Sequence, residues 1–235
     1  MRKISKASFF EAVQRWSVRD VAAAVREQPA LVSLRDALGR TALHVCSRRA
    51  LPRASEASAA VATARVLLEA RADVNAVHPI QDDGEVFPAT ALWYALAWGR
   101  NHPLASYLLR RKANPNHCMF ALVFADDLTS AKLLRRYEAR IDEAFDGETP
   151  LIYAMRHRRA RFGEWLLREG ADPNFRDARG LTALHHAVRR RLPDSMLRLL
   201  VKHGADVRVV SRTGISVGQL ATRAQKRLLG IEGAR

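Results

Sequence analysis

Residues 146–154 read Asp-Gly-Glu-Thr-Pro-Leu-Ile-Tyr-Ala, and residues 178–187 read Ala-Arg-Gly-Leu-Thr-Ala-Leu-His-His-Ala, so that one sequence unit occurs twice. Each copy is followed by a similar closing stretch, Gly-Ala-Asp-Pro-Asn at 170–174 and Gly-Ala-Asp-Val-Arg at 204–208. The threonines of the two copies lie 33 residues apart. Self-similarity at such a period indicates a stack of repeated units, because one unit cannot bury its apolar face alone.

The two copies resemble the ankyrin-repeat family. Its Thr-Pro-Leu-His-x-Ala signature stands as Thr-Pro-Leu-Ile-Tyr-Ala at 149–154 and as Thr-Ala-Leu-His-His-Ala at 182–187. The resemblance extends over nearly the whole chain and implies an all-α fold, an ankyrin-repeat solenoid of stacked helix-turn-helix units with finger-like turns. Stacking buries the apolar stripe of each helix pair in a continuous core, and the end pairs need polar outer faces.

We expect a single ankyrin-repeat domain over residues 1–235, with about five core repeats between two capping helix pairs. The N-terminal cap takes residues 1–35, the repeats take 36–80, 81–117, 118–145, 146–176 and 177–210, and the C-terminal cap takes 211–235. Leucines that precede the closing turns are expected to line the core: Leu68, Leu109, Leu134, Leu167 and Leu200.

Three departures from the repeat lie upstream of residue 146. A loop at 47–60 contains proline and serines, and an enlarged finger turn takes residues 78–88. The third repeat is the most degenerate, because Phe-Ala-Leu-Val-Phe-Ala at 120–125 stands where Thr-x-Leu-x-x-Ala is expected. The acidic clusters at 82–85 and 126–127 lack the alternating spacing of an EF-hand and are expected to be solvated turns.

The composition indicates a folded chain, with 48% hydrophobic residues, but aromatics are only 7%, so the core must be mostly Ala, Leu and Val. Cys46 and Cys118 fall in repeats one and three, beyond disulfide reach, which fits a reducing compartment. Neither an apolar signal run nor a long membrane-spanning stretch occurs, so we expect a cytoplasmic monomer without a membrane span. Secretion by a non-classical bacterial system stays open, since its signals do not show in these patterns.

The sequence contains no Gly-x-Ser-x-Gly elbow, Walker A loop or Gly-x-Gly-x-x-Gly fingerprint. We therefore expect that the protein is not an enzyme and needs no cofactor. His44 and His185 follow the signature leucine, and the resemblance implies that they hydrogen-bond backbone groups and tie adjacent repeats. Neighbouring helical residues such as His185 and His186 point about 100° apart, so no metal site is expected.

The formal net charge is +15, and the basic residues are mostly arginine. The basic excess lies at both ends of the chain, with nearly neutral repeats between them. Arginine suits bidentate contacts with carboxylate or phosphate, whereas a nucleic-acid-binding stripe would carry charge throughout. An arginine-favouring codon bias would give the same composition without a function, so both interpretations stay open.

Partner-binding residues are predicted from their positions in the repeat. In the ankyrin family, partners usually meet the finger turns and the ends of the inner helices on the concave side, and arginine and aromatic residues are the usual anchors. The fingers offer Arg40, Phe87 and Arg179, and the inner-helix ends offer Arg48, Arg49, Trp98, Arg156, His157, Arg189 and Arg190. Trp98 beside Phe87 is either a central anchor or a filler beneath the long finger.

The favoured hypothesis is a non-catalytic protein–protein interaction scaffold that binds a partner with an acidic surface through the concave face of the stack. The alternative is a nucleic-acid- or phosphate-binding module that uses the arginine-rich ends. A second alternative is a bacterial effector or adaptor delivered to a host. It is compatible with the first hypothesis, because an arginine- and alanine-rich composition is typical of bacterial proteins.

Overall fold

The computed structural model describes residues 4–50, 56–82 and 85–231. Parts of the predicted features lie outside the described residues, namely 51–55 of the long loop, 83–84 of the enlarged finger and acidic cluster, and 1–3 and 232–235 of the two caps. The described chain folds into helices joined by turns, with one two-stranded ribbon. The predicted all-α class is confirmed.

The described part of the chain contains fourteen α-helices, two strands and one 3₁₀ turn at Pro29–Ser33. The helices are α1 Lys6–Gln14, α2 Val18–Glu27, α3 Ala42–Arg48, α4 Ala57–Glu69, α5 Ala91–Ala97, α6 His102–Arg110, α7 Met119–Ala125, α8 Leu128–Arg136, α9 Pro150–Arg156, α10 Ala160–Arg168, α11 Ala183–Arg189, α12 Asp194–Lys202, α13 Val217–Leu220 and α14 Arg223–Leu228. The strands are β1 His78–Asp82 and β2 Glu85–Ala89.

The signature threonines stand at the start of the inner helices. The Oγ1 atoms of Thr41, Thr90 and Thr149 accept the backbone N–H of the residue three positions later, at 3.4, 3.3 and 3.4 Å. Ser216 does the same ahead of α13, at 3.2 Å. A side-chain cap of this kind contributes about 1 kcal/mol, because it satisfies a helix N–H that has no partner within the helix.

Two compact units make up the chain. The N-terminal unit comprises Met1–Ala121 with Arg136–Ala139, and the C-terminal unit comprises Leu122–Arg135 with Arg140–Arg235. Each unit is described by itself below. The single domain over 1–235 and its repeat boundaries stay predictions.

The N-terminal unit has two rows of helices. The inner row runs α1, α3, α5, and the outer row runs α2, α4, α6, with each helix packed on the next helix of its own row. Fully buried side chains between the rows include Phe9, Leu43, Leu67, Leu92 and Leu108. The apolar stripe of each pair is thus covered by its neighbours, as a repeat architecture requires.

The C-terminal unit repeats this arrangement. Helices α9, α11 and α13 pack in one row, while α10, α12 and α14 pack in the other. Its core contains Leu134, Leu167 and Leu200, three of the predicted core leucines, and Leu109 is buried in the N-terminal unit. The prediction for Leu68 is wrong, because it is only half-buried and the preceding leucine fills the core instead.

Three finger turns are closed by an oxygen of a polar side chain. Asp36 Oδ1 accepts the N–H groups of the residues two and four positions later, at 2.9 Å each, and Asp177 Oδ1 accepts the equivalent pair at 2.8 Å each. Ser211 Oγ takes this place in the last finger, at 3.3 and 3.0 Å. Gly39 and Gly180 follow these residues with φ angles of +80° and +76°. This left-handed conformation is unfavourable for a residue that has a Cβ atom.

The enlarged finger of repeat two is a β-hairpin. β1 and β2 pair antiparallel, with His78 opposite Ala89 and Ile80 opposite Phe87. The prediction of a longer finger at 78–88 holds, but the sequence analysis did not recognise its strands. Elsewhere the fingers contain only isolated bridges, such as that between Val210 and Ser216.

The third repeat is offset from the sequence-based alignment. Helix α7 begins at Met119, so Cys118 and not Phe120 stands directly before it in the threonine position. Ala125 was aligned with the signature alanine but is exposed, whereas Ala154 and Ala187 are fully buried. In this register Leu122 and Val123 are buried in the core, whereas Phe124 is exposed.

A glycine pair in the C-terminal unit tests the close approach of two fingers. An added Cβ at Gly180 would lie 2.8 Å from the backbone N of Arg212, which donates a 2.9 Å hydrogen bond to Arg179, whereas a Cβ at Gly204 (φ +92°) would meet nothing within 4 Å. Both Gly→Ala variants bear the left-handed cost of about 1–2 kcal/mol. We expect Gly180→Ala to cost roughly 1–3 kcal/mol more, because the overpacked finger must move.

Urea unfolding of the two variants, followed by circular dichroism, measures this difference. Equal free energies of unfolding would show that the approach of the two fingers is not a constraint.

Candidate functional site

Arg48 and Trp98 meet at the surface of the N-terminal unit. Arg48 lies in the last turn of α3 and Trp98 is the residue after α5, and the guanidinium carbon lies 4.8 Å from the ring centroid. Both belong to a pocket of about 390 Å³, here called the Trp98 pocket, which is lined by Gln14, Arg40, Val45, Arg48, Arg49, Ala50 and Trp98. Four of the predicted partner-binding residues are thereby brought together.

The inner face of Trp98 rests on an aromatic cluster. Its ring centroid lies 5.6 Å from that of Trp93 and 5.1 Å from that of Tyr94. Tyr94 Oη is 2.8 Å from His78 Nδ1, and His78 Nε2 donates to the carbonyl oxygen of Leu38 at 2.8 Å. Trp98 nevertheless remains 44% exposed.

The three arginines of the Trp98 pocket differ in their partners. Arg40 pairs with Asp36 at 2.6 Å, and Arg49 pairs with Glu56 at 3.0 Å while lying over the Trp16 ring. No carboxylate of the described residues pairs with Arg48. The pocket therefore offers one exposed guanidinium between two that are already neutralised.

The carboxylate of Asp36 shows the strength of its pairing. Burial raises the pKa of Asp36, but hydrogen bonds from the side chain and backbone of Arg40 outweigh burial and hold the pKa below its usual value. The Arg40 guanidinium is thus held in place by a charged partner, since charge-assisted hydrogen bonds are the stronger kind.

Phe87 does not lie where the sequence analysis expected it. Its side chain is buried, and its ring packs 5.2 Å from Trp93 and 6.5 Å from His117 between ring centroids. Trp93 in turn contacts Trp98, with 5.6 Å between the ring centroids. The expected contact of Phe87 with a partner is therefore corrected to a supporting role beneath the surface.

The C-terminal unit carries the other predicted residues. Arg156, at the end of α9, pairs with Glu148 at 2.8 Å and lies 5.3 Å from the Tyr153 ring centroid. The exposed ring of His157 stacks on Tyr153, with 4.2 Å between centroids. The exposed side chains of Arg179, Arg189 and Arg190 complete this group.

Positive charge accumulates around His157. Burial lowers the pKa of His157, and the guanidinium groups of Arg156, Arg190 and Arg159 lower it further. Arginines at helix ends also have a local role, because a cation at a helix C-terminus contributes about 0.3–1 kcal/mol through the helix dipole. A single arginine is enough for this interaction with the helix dipole. Helix α11 ends in Arg189 and is followed by a second arginine, Arg190.

A buried polar group lies behind this surface. Donor atoms of Glu148, Asp177 and His186 lie within 4.8 Å of one another, and His186 Nε2 is 2.9 Å from Asp177 Oδ2. Carboxylate and imidazole groups can be metal ligands. Here, however, the carboxylate of Glu148 is already paired with the guanidinium of Arg156. Burial lowers the pKa of His186, and the positive charges of Arg189 and Arg156 lower it further. This positive environment favours an internal ion-pair network over a bound cation.

This group was not predicted from the sequence. Only the adjacent pair of His185 and His186 stands out there, whereas Asp177 and Glu148 come from two different fingers. Nothing in the local spacing links the three residues, so only the fold brings them together.

His44 and His185 have the structural contacts that the resemblance implied. The backbone N–H of Thr41 donates to His44 Nδ1 at 3.1 Å, and His44 Nε2 lies 3.3 Å from the carbonyl oxygen of Ala89, directly before the next cap. In the same way, the backbone N–H of Thr182 donates to His185 Nδ1 at 3.2 Å, and His185 Nε2 lies 3.3 Å from the carbonyl oxygen of Ile215. Each ring thus ties one inner helix to the following finger.

Comparison with known proteins identifies the class. Residues 118–211 match the sequence profile described as ankyrin repeats (three copies). Ankyrin repeat protein L92 of Acanthamoeba polyphaga mimivirus is 38% identical over 72 residues, which are 30% of this chain and 17% of that protein. This chain therefore matches only a small part of that relative.

Two solved structures share the fold. The human ASB11 ankyrin repeat domain superposes with a TM-score of 0.67 and 23% identity, covering 97% of this chain and 98% of that one. The ankyrin repeat domain of Bcl-3, a member of the IκB protein family, gives a TM-score of 0.72 and 21% identity, covering 94% and 97%. The chain thus has the ankyrin-repeat fold, and its residues 118–211 match the ankyrin-repeat family.

The class defines the coarse function. Ankyrin repeats generally mediate protein–protein interaction, and proteins of this kind are typically non-catalytic scaffolds. Cys46 and Cys118 are both buried thiols. In the described part of the chain, no helix combines the length and the apolar character that crossing a membrane requires.

The pH dependence of stability tests the role of His44. Burial lowers the pKa of His44 from 6.5 to about 4, and protonated Nδ1 could no longer accept the Thr41 N–H. A lowered histidine pKa contributes stability that is present above pH 6.5 and is lost as the pH falls towards 4, by about 3 kcal/mol. We expect His44→Gln to remove most of this pH dependence, because glutamine at the same position of α13 accepts its cap N–H at 2.8 Å.

Urea unfolding at pH 7.5, 5.5 and 4.5 measures the effect. The other buried histidines titrate in both proteins and cancel in the difference. An unchanged slope of unfolding free energy against pH in the variant would contradict the assignment.

Proposed function

We propose that this protein is a non-catalytic scaffold that binds an acidic partner protein through its finger turns and inner-helix ends. The main support is that both units have exposed arginines at the inner-helix ends that pair with no carboxylate of the described residues. These are Arg48 in the N-terminal unit and Arg189 and Arg190 in the C-terminal unit. Unpaired guanidinium groups at a fixed helix end are suited to carboxylates on a partner.

A protein partner is favoured by what accompanies the arginines. Trp98 is exposed beside Arg48, and Tyr153 and His157 stack beside Arg156. Arginine combined with rigid aromatic side chains is typical of protein-interface anchors. A nucleic-acid surface would instead need many unpaired cations, since its affinity rises with the number of phosphates neutralised.

The paired arginines are poor positions for testing binding. Replacing Arg156 with glutamate would leave the half-buried Glu148 facing a second carboxylate. Burial already raises the pKa of Glu148, and Arg156 opposes that rise, so loss of this arginine would disturb the fold as well as the surface. Arg189 and Arg190 are exposed and leave no carboxylate unpaired.

Charge reversal at α11 tests the proposal. We expect Arg189→Glu/Arg190→Glu to reduce partner recovery at least tenfold, because attraction to an acidic surface becomes repulsion. Affinity purification from the native cell with nuclease treatment and quantitative mass spectrometry measures recovery, and circular dichroism checks the fold.

The matched control is Arg161→Glu/Arg198→Glu, which changes the net charge equally on exposed positions of α10 and α12. Equal loss in both double variants would show that only net charge matters. Loss of all partners on nuclease treatment of the wild type would instead support the nucleic-acid alternative.

A further inference from the structure

The Trp98 pocket has the size and lining of a binding site for one or two side chains. Its volume is about 390 Å³, near the lower end of the range of about 300–1,000 Å³ that is usual for ligand pockets. All of its lining residues belong to the N-terminal unit. It combines a polar side, formed by Gln14 and the arginines, with an apolar side, formed by Trp98 and Ala50.

We propose that the Trp98 pocket binds an aspartate or glutamate side chain of the partner that lies next to an apolar side chain. The carboxylate would pair with Arg48, and the apolar side chain would pack on the exposed part of Trp98. This inference rests on the proposed function and names the chemistry that one of its surfaces recognises.

The orientation of Arg48 supports a planar acid. Arg48 lies over the Trp98 ring, with 4.8 Å between its guanidinium carbon and the ring centroid. The N–H groups of a guanidinium form a planar fork that matches the two oxygens of a carboxylate. Stacking also restricts the side chain before binding, which lowers the entropy that binding must overcome.

The other two arginines decide between a carboxylate and a phosphate. Arg40 and Arg49 are already paired with Asp36 and Glu56, so the described pocket offers one uncompensated positive charge. A carboxylate carries one negative charge and matches it, whereas a phosphate monoester carries about −1.5 to −2 at neutral pH. The charge balance therefore favours the side chain of aspartate or glutamate over a phosphorylated one.

The apolar half of the pocket is held rigidly. Trp98 rests on Trp93 and Tyr94, and the Tyr94 hydroxyl is fixed by His78 of β1. An exposed ring that cannot collapse onto its own neighbours keeps its apolar area available to a partner. Burying such area against a partner's apolar side chain favours binding.

Peptide titration followed by NMR tests the inference. The probes are the blocked peptide Ac-Gly-Glu-Leu-Gly-NH₂ and versions with glutamine or phosphoserine for glutamate, or glycine for leucine. The indole N–H signal of Trp98, assigned with the Trp98→Phe variant, reports occupancy. We expect the Glu-Leu peptide to bind at least tenfold more tightly than each of the other three.

A double-mutant cycle assigns the charge contact to Arg48. Arg48→Gln should weaken the glutamate peptide about tenfold and leave the glutamine peptide unchanged, since only the charged pair is lost. The control Arg110→Gln, at the exposed end of α6, should leave all four peptides unchanged.

The inference is overturned by equal binding of the glutamate and glutamine peptides, by tighter binding of the phosphoserine peptide, or by no shift of the Trp98 signal up to millimolar peptide. If peptide binding fails while Arg189→Glu/Arg190→Glu still abolishes partner recovery, the scaffold function stands and the pocket assignment alone is wrong.

Discussion

A hydroxyl side chain that accepts the N–H three residues later fixes the start of the regular inner helices in both units. Thr41, Thr90 and Thr149 do this directly. The helices that follow are each seven residues long, so the position of the cap also sets the place where each helix ends. Arg48 and Trp98 are brought to the surface by this spacing, and their contact depends on two caps in neighbouring repeats.

The parts of the fold that depend on local chemistry could be predicted. The signature threonines cap their helices through hydrogen bonds within three residues, so the 33-residue repeat that contains them is visible in the sequence. The hairpin at β1 and β2 was missed although Asp83-Gly84 between the strands is the strongest short hairpin signal. The start of α7 was misplaced because Phe120 was aligned with the signature threonine by sequence alone. In the structure the buried residues of this helix include Leu122 and Val123.

The sequence indicates where the arginines of the candidate site lie but not which of them are paired with carboxylates. Repeat geometry places Arg49 and Arg156 at helix ends, which the sequence shows. Their partners, Glu56 and Glu148, lie across a loop and in a finger, and no periodic pattern marks these pairings. The burial of Phe87 likewise follows from the hairpin that was not recognised.

The distribution of ion pairs changes what the net charge of +15 implies. A polyanion is bound by the sum of its contacts, so every unpaired cation counts. In the Trp98 pocket, the neutralised Arg40 and Arg49 contribute little to such a sum, while they hold the surroundings of Arg48 in one arrangement. One oriented guanidinium beside a fixed aromatic ring discriminates by geometry, because a misplaced acceptor loses the bidentate contact. This arrangement supports the proposed binding of a shaped acidic partner over that of a uniform polyanion.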